Sequence, residues 1–140
     1  MIRSEKIYSI DEVLSKIIPN KCESSRGRKS KVDFDGDLVN VKSLRLNVFK
    51  EKGTKCVCCG LEGAFFAKEK AVENESYHFN LYAIDSKGEE VLMTKDHIVA
   101  KSKGGPDHID NMQTMCTKCN VEKDSMSVEE FAEYKKNKVS

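Results

Sequence analysis

The 140-residue chain has no tryptophan, 7% aromatic residues and three histidines. Its hydrophobic core must therefore be lean, and a covalent or metal staple would help to hold it. The sequence also lacks any apolar run near the ~18 residues of a membrane span. Its first residues, MIRSEKIYSIDE, become charged at once and do not resemble a secretory signal peptide. These absences favour a small cytoplasmic protein of one domain.

Net charge is small as well, at +1, so the charge balance of the whole chain does not indicate a nucleic-acid partner. Local charge is more informative. Residues 21–31 carry five basic side chains against one glutamate, and Lys101 and Lys103 lie just before a glycine pair. A run of this kind is often no more than a solvated face, so for 21–31 taken alone both interpretations stay open.

Cysteine is more frequent, and four of the six cysteines form two Cys-x-x-Cys pairs. These are Cys56 with Cys59 and Cys116 with Cys119. In a reducing compartment such pairs indicate metal more often than disulfide, and four thiolates suit a closed tetrahedral zinc site. The 56 residues between the pairs exceed the roughly 15–20 of a compact zinc ribbon, so one zinc would clamp everything in between. Cys58 competes as a ligand, but Cys56 and Cys59 span the knuckle turn.

The first half of the chain predicts two short helices around a hairpin. Ser9-Ile-Asp-Glu12 is a capping box, and the apolar residues behind it follow helical spacing until Pro19. VDFDGDLVNV, residues 32–41, predicts a tight turn between short strands. Ser43 opens a second helix that ends at Gly53.

The second half predicts strands followed by helices. AFFAKEK and HFNLYAI (78–84) have strand character, and EEVLMTKDHI returns as the hairpin partner of 78–84. The pattern turns helical from about Met115, and Ser127 caps a final helix. We therefore expect one α+β domain, with an N-terminal extension over 1–50, a core over 51–124 and a C-terminal helix over 125–140.

The triplet Asp-His-Ile occurs twice within DHIVAKSKGGPDHIDN. The first copy, at 96–98, ends a strand whose register is set by a hairpin, and this arrangement aims a side chain well. The second copy, at 107–109, lies in a Gly-Pro loop, where a side chain is poorly held. His97 is therefore the better candidate for chemistry, and His108 is expected to be a surface residue or to face DNA.

Residues 96–123 contain, in order along the chain, the pattern D-H-I-x-x-x-S-x-G-G…N…C-x-x-C-N-x-x-K. This pattern resembles the HNH nucleases, which share the ββα-metal fold, and Cys56 and Cys59 match the upstream zinc pair. Two positions depart from the family: Ala100 stands where proline is common, and Asn120 stands in place of histidine. The resemblance does not cover 1–50 or 124–140.

The resemblance implies a role for each matching residue. His97 would be the general base, Asp96 and Asn120 would hold a catalytic Mg²⁺ or Mn²⁺, and Asn111 would brace the loop. The four cysteines would hold a structural Zn²⁺. For Lys123, one helical turn after Asn120, two expectations stay open: contact with phosphate, or a solvated side chain. Other basic side chains would add DNA contacts, namely Arg26, Arg28, Lys29, Lys31, Lys101 and Lys103.

Imidazole suits the proposed chemistry because its pKa near ~6.5 allows it to take a proton from water at neutral pH. Oxygen ligands suit Mg²⁺ or Mn²⁺ and leave positions open for phosphate. The family implies products with 5′-phosphate and 3′-hydroxyl ends, and small proteins of this type resemble those of phages and mobile elements. The motifs specify neither the target sequence nor the oligomeric state.

Two other classes of protein share some of these features. A non-catalytic zinc module that binds nucleic acid or protein would keep the cysteines and the basic loop but would have no second divalent site. A redox protein that uses Cys-x-x-Cys would need a thioredoxin-like βαβ context, which neither pair has.

Overall fold

Five antiparallel strands form the main sheet of the computed structural model, which describes residues 1–22, 30–124 and 126–139. The sheet has the order β1-β4-β5-β6-β7. Its strands are β1 (Ile2–Tyr8), β4 (Gly63–Lys70), β5 (His78–Ile84), β6 (Glu90–His97) and β7 (Met112–Cys116). A separate hairpin joins β2 (Lys31–Phe34) to β3 (Asp37–Asn40), and the helices are α1 (Ile10–Leu14), α2 (Leu44–Lys52), α3 (Thr117–Lys123) and α4 (Val128–Val139).

Serine caps begin three of the helices, as the sequence predicts. The hydroxyl oxygen of Ser9 accepts from the Glu12 amide at 3.1 Å, that of Ser43 from the third amide of α2 at 3.2 Å, and that of Ser127 from the Glu130 amide at 3.0 Å. Each bond satisfies an amide that would otherwise lack a partner in the first turn. The small N-terminal and C-terminal helices are thus confirmed, although α1 ends at Leu14, well before Pro19.

The predicted hairpin over 32–41 is also confirmed. Asp35 and Gly36 have φ of +55° and +95°, as a two-residue type I′ turn requires. The hairpin packs on the main sheet, where the rings of Phe34 and Phe79 meet edge to face with centroids 4.7 Å apart. The buried ammonium group of Lys68, on β4, joins the sheet to the hairpin. It donates to the Phe34 carbonyl at 2.8 Å and to the Asp37 carboxylate at 2.7 Å.

One hydrophobic cluster draws on every part of the chain. It includes Val13 of α1, Phe49 of α2 and Phe131 of α4, packed with residues of the main sheet such as Phe66 and Leu81. All five are at most 5% exposed. No helix among the described residues is both long enough and apolar enough to cross a membrane.

One strand, β1, goes beyond the elements read from the sequence, and β7 is the second strand that the resemblance to the ββα-metal fold implies. β1 pairs with β4 at the edge of the sheet, where its charged side chains remain in solvent. β7 pairs with β6 from Met93↔Cys116 to His97↔Met112. The prediction of helix from about Met115 is wrong by two residues, because pairing with β6 keeps the chain extended through Cys116.

The last part of the sheet and the helix after it form the unit that positions the site. β6 leads into a loop over 98–111, β7 returns beside β6, and α3 packs on both strands. This is a ββα unit within an α+β fold, in agreement with the sequence.

Candidate functional site

The two Cys-x-x-Cys pairs come together at one end of the ββα unit. The Sγ atoms of Cys56, Cys59, Cys116 and Cys119 all lie within 4.8 Å of one another. Those of Cys59 and Cys116 are 3.8 Å apart. Tetrahedral zinc with Zn–S bonds of about 2.3 Å separates its sulfurs by about 3.8 Å. The four side chains therefore fit a structural zinc ion, and Cys58 is not part of the cluster.

Backbone hydrogen bonds explain how residues so far apart in sequence meet. The knuckle closes through the Cys56 amide on Leu61 O at 2.9 Å and the Gly60 amide on Cys56 O at 3.0 Å. The Val57 amide then donates to Thr114 O at 3.0 Å, which ties the knuckle to β7. Since β7 ends at Cys116 and α3 carries Cys119, the second pair arrives at the knuckle without any separate loop.

The surroundings of the thiols shift their pKa values in different directions. Burial raises the pKa of Cys56, but amide hydrogen bonds from Cys59, Cys116 and Cys58 outweigh it and lower that pKa to about 7. Burial raises the pKa of Cys116 and of Cys119. Four cysteine thiols brought together in this way are a common ligand set of structural zinc.

At the other end of the unit, β6 and α3 hold two candidate oxygen ligands. Thr94 and Asp96 are two residues apart on β6 and both face α3. The Asn120 amide nitrogen donates to Thr94 Oγ1 at 2.9 Å, and that hydroxyl donates to Met115 O at 2.8 Å. The side chain of Asn120 is thereby oriented through its nitrogen, and no described residue donates to its Oδ1.

Asp96 is 6% exposed and has two donors on one of its carboxylate oxygens. Gln113 Nε2 lies 3.0 Å and Lys123 Nζ 3.2 Å from Oδ2. The other oxygen, Oδ1, has no donor among the described residues. Asp96 and Asn120 thus each keep an oxygen available, and this donor set fits a hard divalent cation.

Lys123 has its ammonium group inside the protein. The side chain is 1% exposed, and Nζ also donates to His97 O at 3.1 Å. The ammonium group of Lys123 therefore does not face solvent at a phosphate site. It binds Asp96 and the His97 carbonyl at the end of β6.

His97 follows Asp96 at the end of β6 and contacts the second Asp-His-Ile triplet. Its Nε2 lies 2.6 Å from Oδ1 of Asp107, whose Oδ2 lies 3.2 Å from Lys101 Nζ. Hydrogen bonds from His97 and then Lys101 lower the pKa of Asp107 below its usual value. The side chains of His97 and Asp107 are 22% and 30% exposed, so the pair lies at a rim rather than in the core.

Asn111 joins the two ends of the loop over 98–111. Its Oδ1 accepts from the Val99 amide at 2.9 Å, and its Nδ2 donates to Val99 O at 3.1 Å and to Pro106 O at 3.0 Å. Ala100 has φ of −55°, a value that proline also adopts, so its presence does not alter the path of the chain. Gly105 lies against the same bonds, because a Cβ there would be 1.8 Å from Val99 O.

A cleft of about 280 Å³ collects these side chains. Its lining includes Asp96, His97, Lys101, Asn120 and Lys123. The residues that the sequence assigns to base and metal chemistry therefore share one cleft, and Asn111 lies behind it in the loop.

Two of the other basic residues that the sequence assigns to DNA, Lys31 and Lys103, are not part of the lining of this cleft. Lys31 is exposed on β2, and Lys103 is half-exposed with Nζ 3.0 Å from Glu130. Arg26, Arg28 and Lys29 lie outside the described residues. The segment that precedes them is bound to the site loop, because the Ile109 amide donates to Lys21 O at 2.7 Å and Cys22 pairs with His108.

This ββα unit, with four clustered thiols at one end and a His-Asp-Asn cleft at the other, is a zinc-stapled ββα-metal fold. Residues 85–125 match the family model described as HNH endonuclease. The match covers 41 of the 140 residues, and over this segment the chain is similar to the HNH endonucleases, a likeness that suggests nuclease-type activity on nucleic acid. Comparisons with curated proteins and with solved structures found no match.

Sequence reasoning missed Asp107 and Gln113. Gln113 lies opposite Asp96 in the β6–β7 register, and this neighbourhood follows from the pairing of the two strands rather than from the sequence of β7 alone. Asp107 had one possible signal, the repetition of the Asp-His-Ile triplet itself.

Proposed function

We propose that the protein is a metal-dependent HNH endonuclease that hydrolyses phosphodiester bonds in DNA. The observation that carries this proposal is the shared cleft of Asp96, His97 and Asn120 within a segment that matches the HNH family model. A surface used only for binding has no need of an imidazole beside two oxygen donors.

His97 is proposed as the general base. Because its Nε2 already contacts Asp107, Nδ1 is the nitrogen that would accept a proton from the attacking water. Asp96 and Asn120 would hold Mg²⁺ or Mn²⁺ through their Oδ1 atoms. When bound, such a cation supplies charge stabilisation at the phosphoryl oxygens and at the leaving oxygen.

Lys123 is proposed to support Asp96 rather than to bind DNA. Its ammonium group faces the Asp96 carboxylate, and its side chain is almost fully buried. Asn111 is proposed to keep the loop over 98–111 in the conformation that aims His97, through its bonds to Val99 and Pro106.

Phosphate contacts are proposed for Lys31, Lys101 and Lys103, whose side chains are exposed. They are also proposed for Arg26, Arg28 and Lys29 of the basic segment, which lie outside the described residues. The link from Lys21 and Cys22 to residues 108 and 109 brings the start of that segment beside the site loop. Contacts of this kind add affinity and salt dependence rather than sequence specificity.

The structural zinc is proposed to hold the β7–α3 junction against the knuckle. None of the described cysteines forms a disulfide, which suits the reducing cytoplasm. In this arrangement the zinc lies at the opposite end of α3 from Lys123, so it would position the helix that carries Asn120 without entering the chemistry.

The test is a plasmid-nicking assay with Mg²⁺ or Mn²⁺. We expect His97→Ala to lower the nicking rate by roughly 10²–10⁴-fold, the usual contribution of a general base. His108→Ala is the matched control from the second triplet, and we expect it to retain most of the rate.

Equal nicking by wild type and His97→Ala would refute the assignment. Metal analysis adds an independent check, because one tightly bound zinc with no second divalent site would support a non-catalytic zinc module instead.

A further inference from the structure

Asp107, from the second Asp-His-Ile triplet, touches His97 from the first at 2.6 Å. We propose that Asp107 is the positioning residue for His97, and that its carboxylate holds the imidazole in the tautomer that carries hydrogen on Nε2. This inference rests on the proposed role of His97 as the general base. It concerns a residue that neither the sequence motif nor the proposed metal site includes.

The chemistry of the pair determines the tautomer. A neutral imidazole has one donor and one acceptor nitrogen, and an ionised carboxylate only accepts. Hydrogen bonds from His97 and from Lys101 hold the pKa of Asp107 below its usual value, so this carboxylate is ionised at neutral pH. Nε2 therefore carries the hydrogen, and the lone pair lies on Nδ1.

The free nitrogen is the one that the reaction needs. Among the described residues, the hydrogen bond of the His97 ring is made through Nε2, and the histidine lines the cleft that also contains Asp96 and Asn120. The opposite tautomer would place hydrogen on Nδ1 and leave no lone pair there to take a proton from water. Asp107 thus distinguishes the reactive form of His97 from the unreactive one.

Asp107 is held in place by the residues on both sides of it. Pro106 O accepts from the Asn111 side chain at 3.0 Å, and the backbone of His108 pairs with Cys22. The second oxygen of Asp107 is bound to Lys101 Nζ at 3.2 Å. The loop that appears unconstrained in the sequence is therefore anchored where it meets His97.

The first test reads the tautomer directly, without DNA or metal. Long-range ¹H–¹⁵N spectra distinguish Nε2–H from Nδ1–H in an imidazole, and with three histidines in the chain the His97 ring is assigned from the His97→Ala spectrum. At a pH where the ring is neutral we expect Nε2–H in wild type. Asp107→Asn should shift His97 toward Nδ1–H, because an amide can donate to Nε2, as an Asp-to-Asn change does in the serine protease triad.

Asp110→Asn is the matched control, since Asp110 lies 3.6 Å from Nδ1 of the other histidine, His108. We expect it to leave the His97 tautomer unchanged. Finding Nδ1–H in wild type, or the same His97 tautomer in wild type and Asp107→Asn, would overturn the proposal.

The second test is kinetic. We expect Asp107→Asn to lower kcat by roughly 10- to 100-fold with little change in KM, as for other residues that orient a reacting group. Asp107→Glu should recover part of the loss, whereas a purely structural role would be reflected in stability and not in a separation of kcat from KM. A kcat equal to that of wild type in Asp107→Asn would also refute it. If wild type itself shows no nicking, the proposed function fails, and the tautomer measurement still decides whether Asp107 orients the ring.

Discussion

Lys123 and Asp96 form an ion pair, and the side chains of both residues are buried. Nζ lies 3.2 Å from Oδ2, and the two side chains are 1% and 7% exposed. The pair connects the last turn of α3 to the end of β6, next to His97, so it fixes the helix relative to the strand at the cleft.

Replacing Lys123 by methionine should destabilise the protein strongly. The change keeps the length of the side chain but leaves the Asp96 carboxylate buried beside an apolar group. Removal of one partner of a buried ion pair typically costs about 3 kcal/mol or more of unfolding free energy. Urea denaturation measures the loss.

Lys118→Met on the same helix is the control for this change. Lys118 pairs with Asp85 from a position that is 66% exposed. Water screens such a pair, so we expect a much smaller loss of stability than for Lys123→Met. Similar losses of unfolding free energy in the two variants would show that the buried Lys123–Asp96 pair stabilises the protein no more than the exposed Lys118–Asp85 pair.

Removal of zinc should loosen the whole domain. We expect one zinc per chain, and a chelator should lower the unfolding temperature, because zinc binding contributes folding free energy outright. Cys116→Ser should abolish stoichiometric zinc binding as measured by atomic emission.

Cys58→Ser tests which thiols are ligands. Cys58 lies within the knuckle but outside the four-thiol cluster, so this variant should still bind one zinc per chain. Loss of zinc from Cys58→Ser, with zinc retained in a Cys59→Ser variant, would mean that the ligand set is different.

The two glycines of the site loop should respond differently to alanine. Gly104 has φ of +89° with open space around it, so Gly104→Ala should cost only the strain of a left-handed conformation, about 1 kcal/mol. Gly105→Ala should cost more, because the new Cβ would be 1.8 Å from Val99 O and 2.8 Å from Asn111 Nδ2.

Urea denaturation of both glycine variants tests this order. We also expect Gly105→Ala to impair nicking, since it displaces the bonds with which Asn111 closes the loop beside His97. Equal stability of the two variants would contradict the close approach of Gly105 to Val99.

Thr94→Val should weaken divalent-metal binding with only a modest effect on the fold. Valine has the shape of threonine but cannot accept from the Asn120 amide, so the bond that orients the Asn120 side chain is lost. Loss of such an orienting bond typically weakens metal binding by roughly 10- to 100-fold. Calorimetric titration with Mn²⁺ measures the change.

Thr54→Val serves as the control, because Thr54 bonds the exposed side chain of Glu62 and not a residue of the cleft. Unchanged Mn²⁺ affinity in Thr94→Val would argue against Asn120 as a ligand.

Several elements were predictable because their signals are local. Ser9, Ser43 and Ser127 cap helices through amides within three residues, and the Asp-Gly pair of the β2–β3 hairpin adopts its turn with two adjacent residues. The spacing of the cysteines indicated four ligands, and the geometry bears this out.

Elements that depend on a distant partner were not predictable in the same way. β1 has three charged residues among its seven and is a strand because β4 offers it an edge. β7 stays extended through Cys116 because β6 pairs with it residue by residue. No pattern within either segment specifies its partner, so the sequence alone placed the start of α3 too early.

By itself, then, the sequence determined the helix caps, the β5–β6 hairpin and the cysteine quartet, since each depends on neighbouring residues or on a recognisable motif. Only the tertiary structure decided that Lys123 faces Asp96 and that the second Asp-His-Ile triplet supplies a partner for the first. The physical reason is distance along the chain: Asp96 and Lys123 are joined by the packing of α3 on β6, and His97 and Asp107 by the closure of a loop through Asn111.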